Sequence, residues 1–356
     1  MFVHRKILYA FLMVLLTLSL LTGCTVAGSQ PISETTDQPN SEPIKKTDFF
    51  LDTICDITIY DNVSPEVFDK GFSVLKEIDD KMSATKETSE ITAINNASGK
   101  SSVKVSDDTS YVISKGIQYG ETTEGKFDIS VGPLVKLWGI NTDHARIPSE
   151  EEIKSTLQLI GYKNIILDET KKEVMLKLEG MSLDLGGIAK GYAGDAVADM
   201  LKNNGVKHAI INLGGSVVVI GPKPNGDNWK IGIQDPAEPR GDYLGILSVS
   251  NKAIATSGIS ERYFIENGVR YHHIMDTSTG YPVDNSLASV SIISDKSIDG
   301  DPLAKSFTMG LEDGMKFIEK QPGVEAIFVT KDSKVYITPG LKNDFIVTNS
   351  KYTLMN

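Results

Sequence analysis

The segment Asp184-Leu-Gly-Gly-Ile-Ala-Lys-Gly-Tyr-Ala-Gly-Asp195 is the most glycine-dense element of the chain. Gly186 and Gly187 lack Cβ atoms, so the backbone there can approach a ligand closely. They stand where the chain enters an apolar helix that reaches Leu201. A helix N-terminus favours an anion, and Lys190 adds a positive charge in the first turn. The spacing is neither a Walker loop nor the dinucleotide fingerprint. Read alone, the element is equally a tight turn between the apolar strand Met181–Leu183 and the helix.

Four further units carry polar groups beside glycine. Asn212-Leu-Gly-Gly-Ser216 lies between two apolar strands and also reads as a hairpin turn. Thr256-Ser-Gly-Ile-Ser-Glu-Arg-Tyr-Phe264 follows, and then Tyr271-His-His-Ile-Met-Asp-Thr-Ser-Thr-Gly-Tyr-Pro282. His272 and His273 are two of five histidines. Neighbours on a strand point to opposite faces, which argues against a shared zinc. One of the two can serve as a proton acceptor, or be a hydrogen-bonded structural residue. In Asp299-Gly-Asp-Pro-Leu-Ala-Lys-Ser306, Asp301 before Pro302 is an N-cap signal. Lys305, four residues on, is within reach of Asp301 as a surface ion pair.

These groups need a scaffold, and the chain has the material for one. It has 356 residues, 40% hydrophobic and 23% charged, with 36 basic and 47 acidic side chains giving a net charge of −11. That excludes a disordered or fibrous chain and argues against non-specific nucleic-acid binding. Two cysteines make no disulfide scaffold. The apolar period predicts helices over 65–82, 107–124, 149–160 and 313–320. Ser64 caps the first with Pro65 at its first position, and Ser149 with Glu152 opens the third. Strands are expected at 54–60, 164–167, 173–178, 208–213, 216–220, 229–233, 245–250, 253–256, 263–266, 288–293 and 326–329. Without a steady β-α-β rhythm, the order reads as α+β.

The first residues read as an address. His4, Arg5 and Lys6 precede a 15-residue apolar run, Ile7 to Leu21, too short for a membrane span and suited to a secretory signal. It ends in Leu21-Thr-Gly-Cys24, which resembles a bacterial lipobox. The expected organisation is a lipoprotein signal peptide over 1–23, then lipidated Cys24 and a disordered Pro-, Ser- and Thr-rich tether over 24–46, and one domain over 47–356. The body is expected outside the cytoplasm, anchored by lipid to a bacterial membrane. Cys55 reads as a buried small hydrophobe.

Taken together, the units resemble the FAD:protein FMN transferase (ApbE) family. The resemblance runs from about Asp48 to Ser350. It rests on Met82-Ser83, Ser89-Glu-Ile91, Asn95, the stretch Gly125-Lys-Phe-Asp-Ile-Ser-Val-Gly-Pro-Leu-Val-Lys-Leu-Trp-Gly139, the Asp184 element, Asn212–Gly215, Thr256–Gly258, His273-Ile-Met-Asp276 and Thr279–Pro282. It implies a single, T-fold-related catalytic body of mixed, largely antiparallel sheets with packed helices. It implies cleavage of FAD at its pyrophosphate and transfer of FMN to a Thr or Ser hydroxyl of an acceptor flavin-carrier protein, with release of AMP and help from Mg²⁺. By the same resemblance Asp184 and Lys190 contact FAD, and Phe127, Asp128, Ile129 and Ile274 line the flavin-nucleotide cleft. The Gly187 and Ala304 carbonyls and Asp301 face the metal. His273 stands near the acceptor hydroxyl, with Asp276 as the alternative.

The chain departs from that pattern in three places. Lys305 stands where the family's last motif has a threonine that helps hold the metal. An ammonium has three donors and no acceptor, so it cannot ligate Mg²⁺. Three readings follow: Lys305 turns away and pairs with Asp301, its ammonium replaces the metal, or the protein binds FAD without transferring it. Thr85 occupies a position where some members stack a tyrosine on the flavin, and Leu51-Asp-Thr53 replaces Met-Gly-Thr. Hydrolysis of FAD to FMN and AMP, with water as acceptor, is an alternative activity.

Overall fold

Along Thr53–Ile59 every second side chain, Cys55, Ile57 and Ile59, is buried, while Ile54 on the other face is exposed. This period-two burial makes the segment one member of a nine-stranded sheet. The computed structural model describes residues 42–140 and 142–355. In sheet order the strands are Ile44–Phe50, Thr53–Ile59, Ala209–Leu213, Ser216–Ile220, Ala253–Gly258, Leu287–Ser294, Glu325–Thr330, Lys334–Ile337 and Thr353–Met355. Only the last pair is parallel. The fold is therefore α+β with largely antiparallel sheets, as expected.

Both faces of the sheet are covered, and all eight residues of Leu287–Ser294 are buried. Alternate residues serve two cores. Val290 and Ile292 join Ile57 and Ile211 under the helices Glu66–Met82 and Ala189–Asn203. Ile293, with Ile254 and Val329, packs instead on the small sheet formed by Trp229–Gln234, Tyr243–Val249 and Phe345–Val347. A third cluster joins Trp138 and Leu134 of the helix Gly132–Trp138 to Met275 and Ile153. The Trp138 indole N–H donates to the Gly280 carbonyl at 2.8 Å, which pins the 275–282 loop.

Several local expectations need correction. Residues 44–46 belong to a strand rather than to the tether, because Ile44, Lys45 and Lys46 pair with Ile59, Thr58 and Ile57. Lys46 also lies over the Phe68 ring. Met181–Leu183 forms no strand, only a single bridge from Ser182 to Val131. The first helix begins at Glu66, and Ser64 Oγ still accepts a bond from the Glu66 N–H at 3.4 Å. Ser149 and Glu152 do form a reciprocal capping box. Cys55 is fully buried, and burial pushes its thiol up to about 11, as befits a packing residue. Residues 1–41, which hold the expected signal peptide and Cys24, lie outside the described residues; among those described, no helix is long and apolar enough to cross a membrane.

Candidate active site

The glycine element is positioned at both ends. At its start, the Asn95 side chain, on the helix Glu90–Asn96, accepts from the Leu183 N–H at 2.7 Å and donates to the Leu183 carbonyl at 3.1 Å. The Asp184 N–H donates to the Ile129 carbonyl at 2.8 Å. At its end, Asp195 accepts from the backbone N–H groups of Ser297 and Ile298 at 2.8 and 3.0 Å. Between them, Gly191 lets the helix Ala189–Asn203 press onto that segment, since a Cβ there would sit 2.4 Å from the Ser297 carbonyl oxygen. The short helix Gly300–Leu303 follows directly, so Asp195 fixes where Asp301 stands.

The result is a cleft of about 760 Å³, in the range of pockets that bury a small molecule. Asp184, Gly186, Gly187, Lys190, Asp301 and Lys305 share one wall. The Gly186 N–H donates to Asp184 Oδ1 at 2.8 Å, and Lys190 Nζ donates to the Gly186 carbonyl at 2.9 Å. Lys190 Nζ is also 3.2 Å from Asp301 Oδ2. That contact is an ion pair by distance without hydrogen-bond alignment, and it leaves Asp301 Oδ2 buried with no hydrogen-bond partner. Asp301 is not an N-cap; it lies within Gly300–Leu303, and Asp299 precedes the helix. Nor does Lys305 pair with it. Lys305 is half-buried and makes no ion pair with any described carboxylate, though it feels Asp301, Asp184 and Lys190. Burial holds its ammonium below the usual lysine range, and Asp301 opposes that shift.

Phe127, Asp128 and His273 also line the cleft. A Cβ on Gly187 would lie 3.1 Å from the Phe127 ring, so that ring forms the wall beside the glycine pair. Both Asp128 oxygens are used internally, by Ser130 N–H and O–H at 2.8 and 2.6 Å and by Tyr162 N–H at 2.7 Å. Burial raises its carboxyl above the usual range. His273 Nδ1 faces the Arg262 carbonyl at 3.3 Å, which leaves Nε2 as its free ring nitrogen. Burial, reinforced by the charges of Lys305 and Arg262, pushes His273 down to about 3. His272 points the other way, is buried, and bonds the Val283 carbonyl at 2.9 Å.

Five expected site residues do not line the cleft. Ile129 and Ile274 are core side chains, each 1% exposed. Ala304 is fully buried. Asp276 spends its Oδ1 on the N–H and O–H of Ser278, closing its own turn. Thr85 lies in the 83–86 turn, where its Oγ1 is 3.0 Å from Ser83 Oγ. The cleft instead adds Lys126, Arg240, Glu261 and Arg262. Glu261 and Arg262 belong to a unit singled out by its polar content, but nothing in the sequence indicated their direction. Arg240 sits in a loop without periodicity; its guanidinium bonds Glu261 at 2.7 Å and reaches the Gly214 carbonyl at 3.4 Å.

A divalent ion does not fit this donor set. Mg²⁺ takes near-octahedral oxygen ligands at about 2.0–2.1 Å. Here neither Asp301 oxygen is hydrogen-bonded, but Oδ2 already lies 3.2 Å from the Lys190 ammonium and Lys305 presents a second ammonium on the same wall, so the place of a divalent cation is already flanked by two like charges. Among the described residues no group of three His, Cys, Asp or Glu side chains could hold a metal.

A mixed sheet carrying a glycine-walled cleft, with Lys190 and Lys305 beside the glycines, has the make-up of a site for an anionic small molecule. The chain belongs to the ApbE family, whose model matches residues 51–328. It is 36% identical over 286 residues to an FAD:protein FMN transferase of Klebsiella pneumoniae, covering 80% of this chain and 89% of that one. It is 30% identical over 328 residues to an FAD:protein FMN transferase of Treponema pallidum, covering 87% and 90%. The crystal structure of the ApbE protein from Thermotoga maritima matches with a TM-score of 0.77 and 35% identity, over 85% of this chain and 98% of that one.

Proposed function

We propose that this chain transfers the FMN half of FAD to a Thr or Ser hydroxyl of an acceptor flavin-carrier protein and releases AMP. The observation that carries the reading is the convergence of Gly186, Gly187, Lys190, Lys305 and His273 on one cleft, in a chain whose relatives bear that activity's name. A pyrophosphate needs cations and close backbone, and this wall supplies both. The acceptor oxygen forms a bond to the FMN-side phosphorus. The bridging P–O bond breaks, and its electron pair leaves with AMP. The hydroxyl proton passes to Nε2 of His273, whose Nδ1 is held by the Arg262 carbonyl. Burial, with the charges of Lys305 and Arg262, depresses that imidazole; a bound pyrophosphate offsets the two charges and makes it a stronger base.

The N-terminal sequence supports a lipid anchor on Cys24 that holds the body outside the cytoplasm at a bacterial membrane. Cys24→Ala should move the protein from the membrane fraction to the soluble one.

The activity is tested by mass spectrometry of a carrier domain incubated with the protein and FAD. The expected result is a carrier gaining one FMN on Thr or Ser with one AMP released. AMP with an unmodified carrier, while an active relative modifies it in parallel, identifies hydrolysis instead. No AMP at all leaves a flavin-binding protein and overturns the proposal.

A further inference from the structure

The cleft wall holds two carboxylates and two ammoniums in unequal engagement. Asp184 bonds the Gly186 N–H, and Lys190 bonds the Gly186 carbonyl and approaches Asp301. Lys305 alone has no counter-ion among the described residues, yet it is half-buried and lines the same wall. An uncompensated ammonium partly removed from water is unfavourable, and a fold retains one where a ligand supplies the missing anion. The helix Gly300–Leu303 tightens to a 3-10 turn over Ala304–Met309, which fixes Lys305 at the junction. Ser306, the next polar residue, is buried outside the lining and is not a substitute ligand.

We infer that the Lys305 ammonium is a resident cation that neutralises the substrate's pyrophosphate, in place of a divalent metal. The inference rests on the FAD reading above for its substrate, but it concerns only the diphosphate. Lys305 and Lys190 line the same cleft beside Asp301, so both ammoniums are available to the phosphate oxygens. Binding then has no need of Mg²⁺, and the cleft distinguishes FAD from riboflavin through this charge.

The test measures binding of FAD, riboflavin and inorganic pyrophosphate to the whole protein, with EDTA and with Mg²⁺, in wild type, Lys305→Met and Lys305→Arg. Flavin fluorescence reports the first two ligands and calorimetry the third. Wild type should bind FAD and pyrophosphate equally well in EDTA and in Mg²⁺. Lys305→Met should weaken both by about 10- to 100-fold and leave riboflavin unchanged, the loss expected for one charged hydrogen bond. Lys305→Arg should restore most of it. Thermal melting checks folding, and Lys305→Met should melt no lower than wild type, because it removes an unpaired charge. Wild-type binding lost in EDTA and regained with Mg²⁺ overturns the inference, as does Lys305→Met binding both diphosphates normally. Lys305-dependent pyrophosphate binding in EDTA without FAD binding sinks the flavin reading and leaves this one standing. A modified carrier that forms only with Mg²⁺ does the reverse.

Discussion

Lys190 Nζ and Asp301 Oδ2 lie 3.2 Å apart, joining the helix that begins at Ala189 to the one that ends at Leu303. At about 4 Å and an effective dielectric of 20, two unit charges interact by about 4 kcal/mol. The pair is therefore strong enough to aim Lys190, and the Gly186 carbonyl bond completes its orientation. Asp301→Asn removes the charge and keeps the shape. AMP release should fall by about 100-fold, in line with losing a preorganised electrostatic contact. FAD binding should not weaken, because an anion that repels phosphate has gone. Unchanged AMP release would show that the chemistry lies elsewhere.

Asp195 is the support beneath that pair. Its carboxylate takes two backbone N–H donors, from Ser297 and Ile298, and is itself largely buried, which raises it above the usual carboxylate range. Asp195→Ala leaves both donors without that acceptor, at about 1–3 kcal/mol each. Urea unfolding should register a loss of that size, and AMP release should fall with it, since the segment leading to Asp301 is no longer held. A stability loss with full turnover would separate the support from the site.

Gly191 tests the same contact from the other side. Gly191→Ala places a methyl 2.4 Å from a backbone oxygen, where no flexible side chain can yield. Overpacking of this kind costs about 1–3 kcal/mol. The expected result is a lower urea midpoint together with a higher KM for FAD, because the whole glycine wall shifts. Gly205→Ala, where φ is +84° and the space is open, isolates backbone strain without a clash: it should lower the urea midpoint but leave the KM for FAD unchanged.

The sequence made strong local patterns legible and left contacts between distant segments hidden. Thr53–Ile59 falls within a residue of where alternation places it, because a strand's burial period is local. The glycine element, Lys190, Asp301, Lys305 and His273 could be chosen by residue type and by resemblance. Their assembly depends on Asn95 bonding Leu183 and Asp195 bonding Ser297, and long-range bonds leave no periodic mark. Ile129 and Ile274 show the opposite error. They adjoin cleft residues in the sequence but turn into the core, since neighbours along an extended segment face opposite ways. Asp301 shows a third: a residue before proline reads as a cap, and here Asp299 takes the position ahead of the helix.

His272 gives the molecule an acid weakness that can be measured. The Ile274 N–H donates to its Nδ1 at 3.3 Å, so Nε2 carries the proton and donates to the Val283 carbonyl at 2.9 Å. A second proton on Nδ1 would face that N–H donor in a buried site. Burial accordingly lowers His272 from 6.5 to about 4. Between those values the unfolded chain binds the proton and the folded one does not, so stability rises with pH. The neutral ring's contribution is complete above pH 6.5 and is lost as pH falls towards 4. One such group changes unfolding free energy by about 2 kcal/mol between pH 7 and pH 5. Urea titrations at the two pH values should show that difference shrink by this amount in His272→Gln. The comparison of slopes cancels the constant cost of the substitution and the titration of the carboxylates. An identical slope in the variant would mean that His272 is protonated in the native protein, against the hydrogen bond from Ile274.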